Sequence, residues 1–202
     1  GNNAIIVSPG AAANINDDDI IANKELIQGS RVFMTQLEQS LDAADTALSF
    51  AKEGGAITIL NPAPAQPLGE NILKLCDFVT PNEIEAEQIT GIPVKSIIDA
   101  EIAAGKLLEK GAKAAVITLG EQGALFKDKN QVIHQPSYEV GPVVETTGAG
   151  DAFNGGLAVA LAEEMPIDKA LRFACATASI SVTRQGTAPS MPDRNEIEIL
   201  LK

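Results

Sequence analysis

The chain has 202 residues, 45% of them hydrophobic and 21% charged, which is enough for one domain that buries an ordinary core without disulfides or metal. Its 15 basic against 27 acidic residues leave a net charge of -12, so neither a nucleic acid nor an anionic membrane is an expected partner. Cys76 and Cys175 are too few and too far apart for a disulfide framework or a zinc site and suit a reducing, cytoplasmic setting, while no run approaches the ~20 apolar residues of a membrane span.

In chain order, residues 3 to 8 form a short apolar run, and the polar stretch from Asn14 to Asp19 caps a helix through Gln28 that Gly29 stops. RVFMTQLE, 31 to 38, reads as a buried strand with Gln36 and Glu38 at its polar end, and Ser40 caps a helix that runs to Gly54 and Gly55. AITIL, 56 to 60, is the next strand. It leads into NPAPAQP, where prolines exclude regular structure. A short helical segment precedes DFVT, 77 to 80, and a helix follows with Pro81 and Asn82 at its start and Gly91 at its end. Ser96 caps a further helix to Lys110, AAVITLG (114 to 120) is a central strand by its unbroken apolar character, and GALFKDKNQVIHQ alternates around a KDKN turn as a hairpin. Helical patterns occupy 167 to 183 and 193 to 201.

Five alternations of short strand and helix before the hairpin predict an α/β fold, a mostly parallel sheet with helices on both faces, in a single domain over 1–202. Such sheets bind ligands off the carboxyl ends of their strands. The residues to collect are therefore Glu38, Asn61, Asn82 with Glu85, Thr118 with Gly120, and the turn from Gly148 to Asp151.

That last turn lies in VVETTGAGDAFNGGLAVALAEE, residues 143 to 164, an apolar run followed by a glycine-rich turn and a long apolar helix. Gly148 and Gly150 let backbone approach a ligand closely, and the helix start offers unpaired N–H groups to an anion. Phe153 stands where a dinucleotide fingerprint needs its third glycine, and Asp151 follows Gly150 where a P-loop needs lysine. Asp151 alone reads as a helix cap worth about 1 kcal/mol. The glycines ahead of it, the Gly155–Gly156 pair and Asn154 point instead to phosphoryl transfer with an aspartate base. The positive helix end makes that carboxylate a weak base, which suits a transition state in which the hydroxyl loses its proton late. His134 in the hairpin and the acidic run Asp17 to Asp19 read as structural.

ETTGAGDAFNGG closely resembles the signature of the ribokinase-like carbohydrate kinases, and QLE (36 to 38), NPAPA (61 to 65), TPNEIEAEQITG (80 to 91), ITLGEQG (117 to 123) and SVTRQGTAPSMP (181 to 192) resemble segments of that family in the same order. The NPAPA and PNEIEAE segments are closer to its ribose kinases than to those of adenosine or fructose. The resemblance implies ATP-dependent conversion of D-ribose to ribose 5-phosphate. Another sugar or nucleoside kinase of the family, or a non-catalytic nucleotide-binding fragment, are the alternatives. It also implies roles by position. Asp151 is similar to the base that activates the sugar hydroxyl, and the backbone of Gly148, Ala149 and Gly150 to the anion hole for the transferred phosphate. Asn82 and Glu85 resemble the pair that reaches the nucleotide phosphates and organises Mg2+. Thr118, Leu119, Gly120, Glu121, Gln122 and Gly123 resemble the nucleotide-binding turn, Cys175 an adenine neighbour and Glu38 a ribose-contacting carboxylate. A K+ site would use Glu145, Thr147, Ser181, Arg184, Gly186 and Ser190.

Two departures temper these implications. Glu145 replaces the aspartate that opens the signature, lengthening the side chain by a methylene. The family's first βαβ units, lid strands and sugar-gripping segments have no counterpart here, so the fold is expected to be truncated at the N-terminus. Nucleotide binding with little ribose phosphorylation is then expected of this chain alone, with self-association at exposed sheet edges and a homodimer for the full-length enzyme.

Overall fold

A computed structural model describes residues 8–202, so the apolar run at 3 to 8 lies, except for Ser8, outside the described residues. The described sheet has six strands in the order β1 to β6: β1 Val32–Thr35, β2 Ile57–Leu60, β3 Phe78–Val79, β4 Ala114–Thr118, β5 Ala124–Asp128 and β6 Val132–Gln135. The first four are parallel, with Val32 opposite Ile57, Ile59 opposite Phe78 and Phe78 opposite Ala114; β5 and β6 return antiparallel, with Val116 opposite Phe126 and Leu125 opposite His134. The α/β class and the hairpin are as expected. Four strands are described ahead of the hairpin, and the first of the five expected alternations begins at the run at 3 to 8, which but for Ser8 lies outside the described residues.

Alternation along the strands divides the core. Ile59, Val116 and Phe126 face one way and pack with Phe153, Leu157 and Leu161 of α7 (Ala149–Ala162) and with Leu171 and Ala174 of α8 (Ile167–Ser181). On the opposite face, Leu60 and Val79 meet α3 (Leu41–Glu53) and α4 (Glu70–Lys74), while Ala115, Ile117 and Leu125 meet α5 (Glu83–Thr90) and α6 (Ile97–Glu109). Helices thus cover both faces. Gly156 explains how α7 and α8 approach so closely: a Cβ there would sit 2.7 Å from Thr177 Oγ1 and 3.0 Å from the Ala174 Cα. Gly155 has no comparable neighbour. Helix starts are capped as the sequence indicates, by Ser40, Asn82 and Ser96, and Arg194–Leu200 (α9) begins on Asp193.

Three expectations are corrected. The helix expected through Gln28 is two helices, α1 Asp17–Ala22 and α2 Lys24–Gln28, because the Asn23 side chain donates to the Asp19 carbonyl at 2.8 Å and competes with the backbone ladder. The strand expected over 31 to 38 stops at Thr35 and is only half-buried, with Met34 38% exposed, because β1 ends the described sheet and has a strand neighbour on one side only. The apolar run opening 143 to 164 is not buried. Val143 and Val144 are exposed, and Val144 and Glu145 both donate backbone N–H to the Val182 carbonyl, at 2.8 and 3.2 Å, so this segment crosses the end of α8 instead of joining the sheet.

Candidate functional site at the carboxyl ends of the parallel strands

β1, β2 and β3 are each followed by a polar residue, Gln36, Asn61 and Thr80, beside the start of α7. Gln36 Nε2 donates to Asn61 Oδ1 at 3.0 Å and to Asp151 Oδ1 at 3.1 Å. Asn61 Nδ2 donates to the Thr80 carbonyl at 2.8 Å, the Thr80 hydroxyl donates to Asn154 Oδ1 at 2.6 Å, and Asn154 Nδ2 donates to the Gly150 carbonyl at 2.9 Å. Asn61, Thr80 and Asn154 are buried while Asp151 is exposed. The carboxylate expected to carry the chemistry is therefore open to solvent but anchored to three strand ends. Gln36 and Thr80 had no assigned role in the sequence reading. The available signal was positional, since each follows directly on an apolar strand.

Gly148, at φ +82, turns the chain into α7. A side chain there would need strained backbone and would press on Thr187, 3.3 Å from a built Cβ. Of the backbone donors expected to form an anion hole, Ala149 is occupied, its N–H donating to the Thr146 carbonyl at 3.1 Å. The N–H groups of Gly148, Gly150 and Asp151 make no hydrogen bond among the described residues, and nothing stands within 4 Å of a built Gly150 Cβ. The donor set is thus shifted toward Gly150 and Asp151, at the positive end of a 14-residue helix.

The expected nucleotide residues gather at the next strand end. Asn82 and Glu85 form a capping box: Asn82 Oδ1 accepts from the Glu85 N–H and Glu85 Oε2 from the Asn82 N–H, both at 2.9 Å. Burial pushes the Glu85 carboxyl above its ordinary value, against the lowering effect of the Asn82 backbone bond. Asn82 bridges to Thr118, whose N–H donates to the Pro81 carbonyl at 3.0 Å, so the 82–85 and 118–123 segments are neighbours. Gly120–Gln122 form a 3-10 turn with Glu121 exposed, Leu119 buried beneath it, and Gly123 leading into β5. Cys175 is buried in the α8 core with its thiol toward the Gln135 carbonyl at 3.8 Å, so it offers a wall from below and no exposed group. Burial pushes both thiols up to about 12, which leaves neither Cys76 nor Cys175 as a thiolate at neutral pH. Glu38 is exposed and makes no hydrogen bond among the described residues. His134 Nε2 lies 2.7 Å from the Gln122 carbonyl oxygen, a structural contact.

The loops expected to hold a monovalent cation do meet. Glu145 Oε2 accepts from the Gly186 N–H at 2.8 Å, and the Ser190 hydroxyl donates to the Thr187 carbonyl at 2.7 Å. Ser181 donates to the Ala178 carbonyl within its own helix, and the Arg184 side chain is committed to Glu196. Thr147 is half-buried between these segments and Gly148.

A groove of about 1000 Å³ lies at the opposite end of the strands, lined by Lys52, Ile57, Asp77, Phe78, Lys113 and Phe126 among others. Asp77 there accepts from Lys52 at 2.6 Å, Lys113 at 2.7 Å and the Thr58 N–H at 3.0 Å. Burial would raise this carboxyl, but the bonds from Lys113, Lys52 and Thr58 outweigh it and lower it to about 2. Every expected site residue lies away from this groove, and its saturated aspartate has nothing left to offer a substrate.

Residues 1–194 match the pfkB family of carbohydrate kinases. Among curated proteins, a ribokinase of Haemophilus influenzae is 39% identical over 196 residues, 96% of this chain and 63% of the relative, and a deoxyribokinase of Salmonella typhi is 36% identical over 191 residues, 94% of this chain and 62% of the relative. The structure of Arabidopsis thaliana ribokinase complexed with ribose and ATP superposes with a TM-score of 0.91 at 32% identity, covering 100% of this chain and 66% of that one. The chain thus spans a little under two thirds of the length of the curated relatives it matches.

Proposed function

The chain belongs to the pfkB family of carbohydrate kinases, and from that premise we propose that it serves ATP-dependent phosphorylation of D-ribose to ribose 5-phosphate, carrying the nucleotide site and the catalytic base. The observation that carries this reading is Asp151, exposed on the first turn of α7 beside the unpartnered N–H groups of Gly150 and its own backbone. The ribose and ATP bound by the Arabidopsis relative support the choice of substrates.

In this mechanism a primary hydroxyl of the sugar donates to Asp151, which orients one of its lone pairs at the γ-phosphorus. As the new O–P bond forms and the bond to the ADP oxygen breaks, the proton passes to the carboxylate. The free N–H groups at the helix start receive the charge on the phosphoryl oxygens. The loose transition state asks little basicity of Asp151, whose main task is to orient the hydroxyl. Asn82, whose amide nitrogen makes no hydrogen bond among the described residues, faces the nucleotide phosphates, and the 118–123 turn with Cys175 behind it forms the nucleotide wall.

Glu85, whose Oε2 accepts from the Asn82 N–H, would help to organise Mg2+ through water. When bound, Mg2+ neutralises the phosphates. Oxygens of Glu145, Thr147, Ser181, Arg184, Gly186 and Ser190 would hold K+, their loops joined by the Glu145–Gly186 bond, and K+ would stiffen the turn that presents Gly148 to Asp151. Glu38 is assigned to the sugar. The same reading places the enzyme in the cytoplasm as a homodimer. Among the described residues no helix is long and apolar enough to cross a membrane.

A second reading, phosphorylation of 2-deoxyribose, is favoured by the 36% identity to deoxyribokinase. ADP release measured with ribose, 2-deoxyribose, adenosine and fructose, on a protein in which the family's N-terminal units are joined to this chain, separates them. Ribose should give the highest kcat/KM, a preference for 2-deoxyribose selects the second reading, and ADP release with none of the four overturns both.

A further inference from the structure

The reaction as described needs Asp151 but not the side-chain circuit beneath it. That circuit is polar, mostly buried and closed. It begins on one acceptor-only group, the Asp151 carboxylate, and ends on another, the Gly150 carbonyl. These ends determine every orientation between them. Facing a carboxylate, Gln36 must present its NH2, so Asn61 must present its oxygen and turn its own NH2 to the Thr80 carbonyl. From the other end, the Gly150 carbonyl requires the Asn154 NH2, so Asn154 presents its oxygen to the Thr80 hydroxyl. Both protons of the Gln36 amide are thus used, one on Asn61 and one on Asp151 Oδ1. Oδ2 of Asp151 has no protein partner among the described residues.

We propose that Gln36 is a positioning residue for Asp151: by occupying Oδ1 it sets the rotation of the carboxylate and leaves Oδ2 as the oxygen that meets the sugar hydroxyl. Asn61, Thr80 and Asn154 hold Gln36 in that attitude and tie it to the Gly150 carbonyl, which shares its peptide group with the Asp151 N–H that stands at the transferred phosphate. Base and phosphate donors are thereby held in one frame. A small misplacement of reacting groups costs a large factor in rate, so the circuit matters even though it touches no substrate. This role rests on the kinase reading, whereas the hydrogen bond between Gln36 and Asp151 does not.

Two measurements keep those apart. In the 202-residue chain labelled with nitrogen-15, the Gln36 side-chain NH2 pair is identified by its loss in Gln36→Leu. Asp151→Ala should shift it, and an unmoved pair overturns the proposal whether or not the chain is a kinase. In the kinase assay, Gln36→Leu should lower kcat roughly ten- to a hundredfold, with KM for ATP and the melting temperature near parent values. Gln36→Glu tells positioning from packing, since it keeps the shape but removes the donor and sets a like charge beside Asp151. It should be at least as damaging as Gln36→Leu. Parent kcat in Gln36→Glu, or a loss confined to stability, would overturn the role. If the parent turned over none of the sugars, the kinase reading and the role built on it would fall together, with the amide signal still deciding the bond.

Discussion

Asp77 and Asp151 stand at opposite ends of the same parallel strands and show what separates a structural carboxylate from a reactive one. Asp77 precedes β3 and is enclosed by Lys52, Lys113 and the Thr58 N–H and hydroxyl. Its acceptor capacity is spent and its charge is neutralised on the spot. Asp151 follows the strand ends, is exposed, and receives one side-chain bond from a neutral amide. Held this way, a carboxylate keeps a fixed direction and a free oxygen. Cations around Asp151 would bind the carboxylate too tightly for it to take a proton, so the neutral circuit of Gln36, Asn61, Thr80 and Asn154 suits the site better than a salt bridge. The wide groove at the Asp77 end has room for a ligand, but its buried aspartate is spent on Lys52, Lys113 and Thr58.

The contrast is broken most severely at Asp151. Asp151→Asn should cut sugar phosphorylation by about a hundred- to ten-thousandfold, with ATP affinity and melting temperature little changed. Asp77→Ala should do the reverse, costing about 3 kcal/mol in denaturant unfolding by stranding Lys52 and the Thr58 N–H, with parent kcat below the melting temperature. Its pH dependence has a definite sign. The folded carboxyl is lowered from 3.8 to about 2, so its stabilisation is fully present above pH 4 or so and is lost as pH falls toward 2. The stability gap between parent and Asp77→Ala should narrow over that window. A gap that stays constant from neutral pH down to about 2 would contradict the ion-pair account.

Seating of the helix that carries Asp151 comes next. Gly156→Ala drives a methyl into Thr177 and the Ala174 backbone, and should cost about 2 kcal/mol of stability. Unchanged unfolding midpoints would mean that α7 and α8 are not as tightly fitted as described. The smallest effect is expected at Glu145. Turnover should rise with K+, and Glu145→Asp should strengthen that response; equal rates in Na+ and K+ would remove the monovalent site from the account.

Much of this was legible in the sequence where the signal is local. Ser40, Asn82 and Ser96 announce their helices because a cap bonds within its own first turn. The apolar run at β4 reads as central because both its faces are covered. Asp151 stood out because glycines and a carboxylate at a helix start are adjacent in sequence. The failures are tertiary. Val143 and Val144 open an apolar run, yet they stay exposed where the Val182 carbonyl holds the backbone beside them. Met34 reads as buried until β1 is seen to end the described sheet. The Ala149 N–H appears free until the Thr146 carbonyl takes it. The Gln36 circuit joins residues far apart along the chain, and no periodicity reports that a glutamine just after β1 reaches an aspartate on α7. The break at Asn23 is local, but asparagine is tolerated in helices often enough that its side chain had to be seen bonding Asp19.

The central claim, that Asp151 directs a sugar hydroxyl onto the γ-phosphate, is tested most directly by following that phosphate. With γ-labelled ATP and ribose, and with the family's N-terminal units joined to this chain, label should pass to the sugar and do so at least about a hundredfold more slowly in Asp151→Asn at equal ATP occupancy. Labelled sugar formed by Asp151→Asn at the parent rate would contradict it.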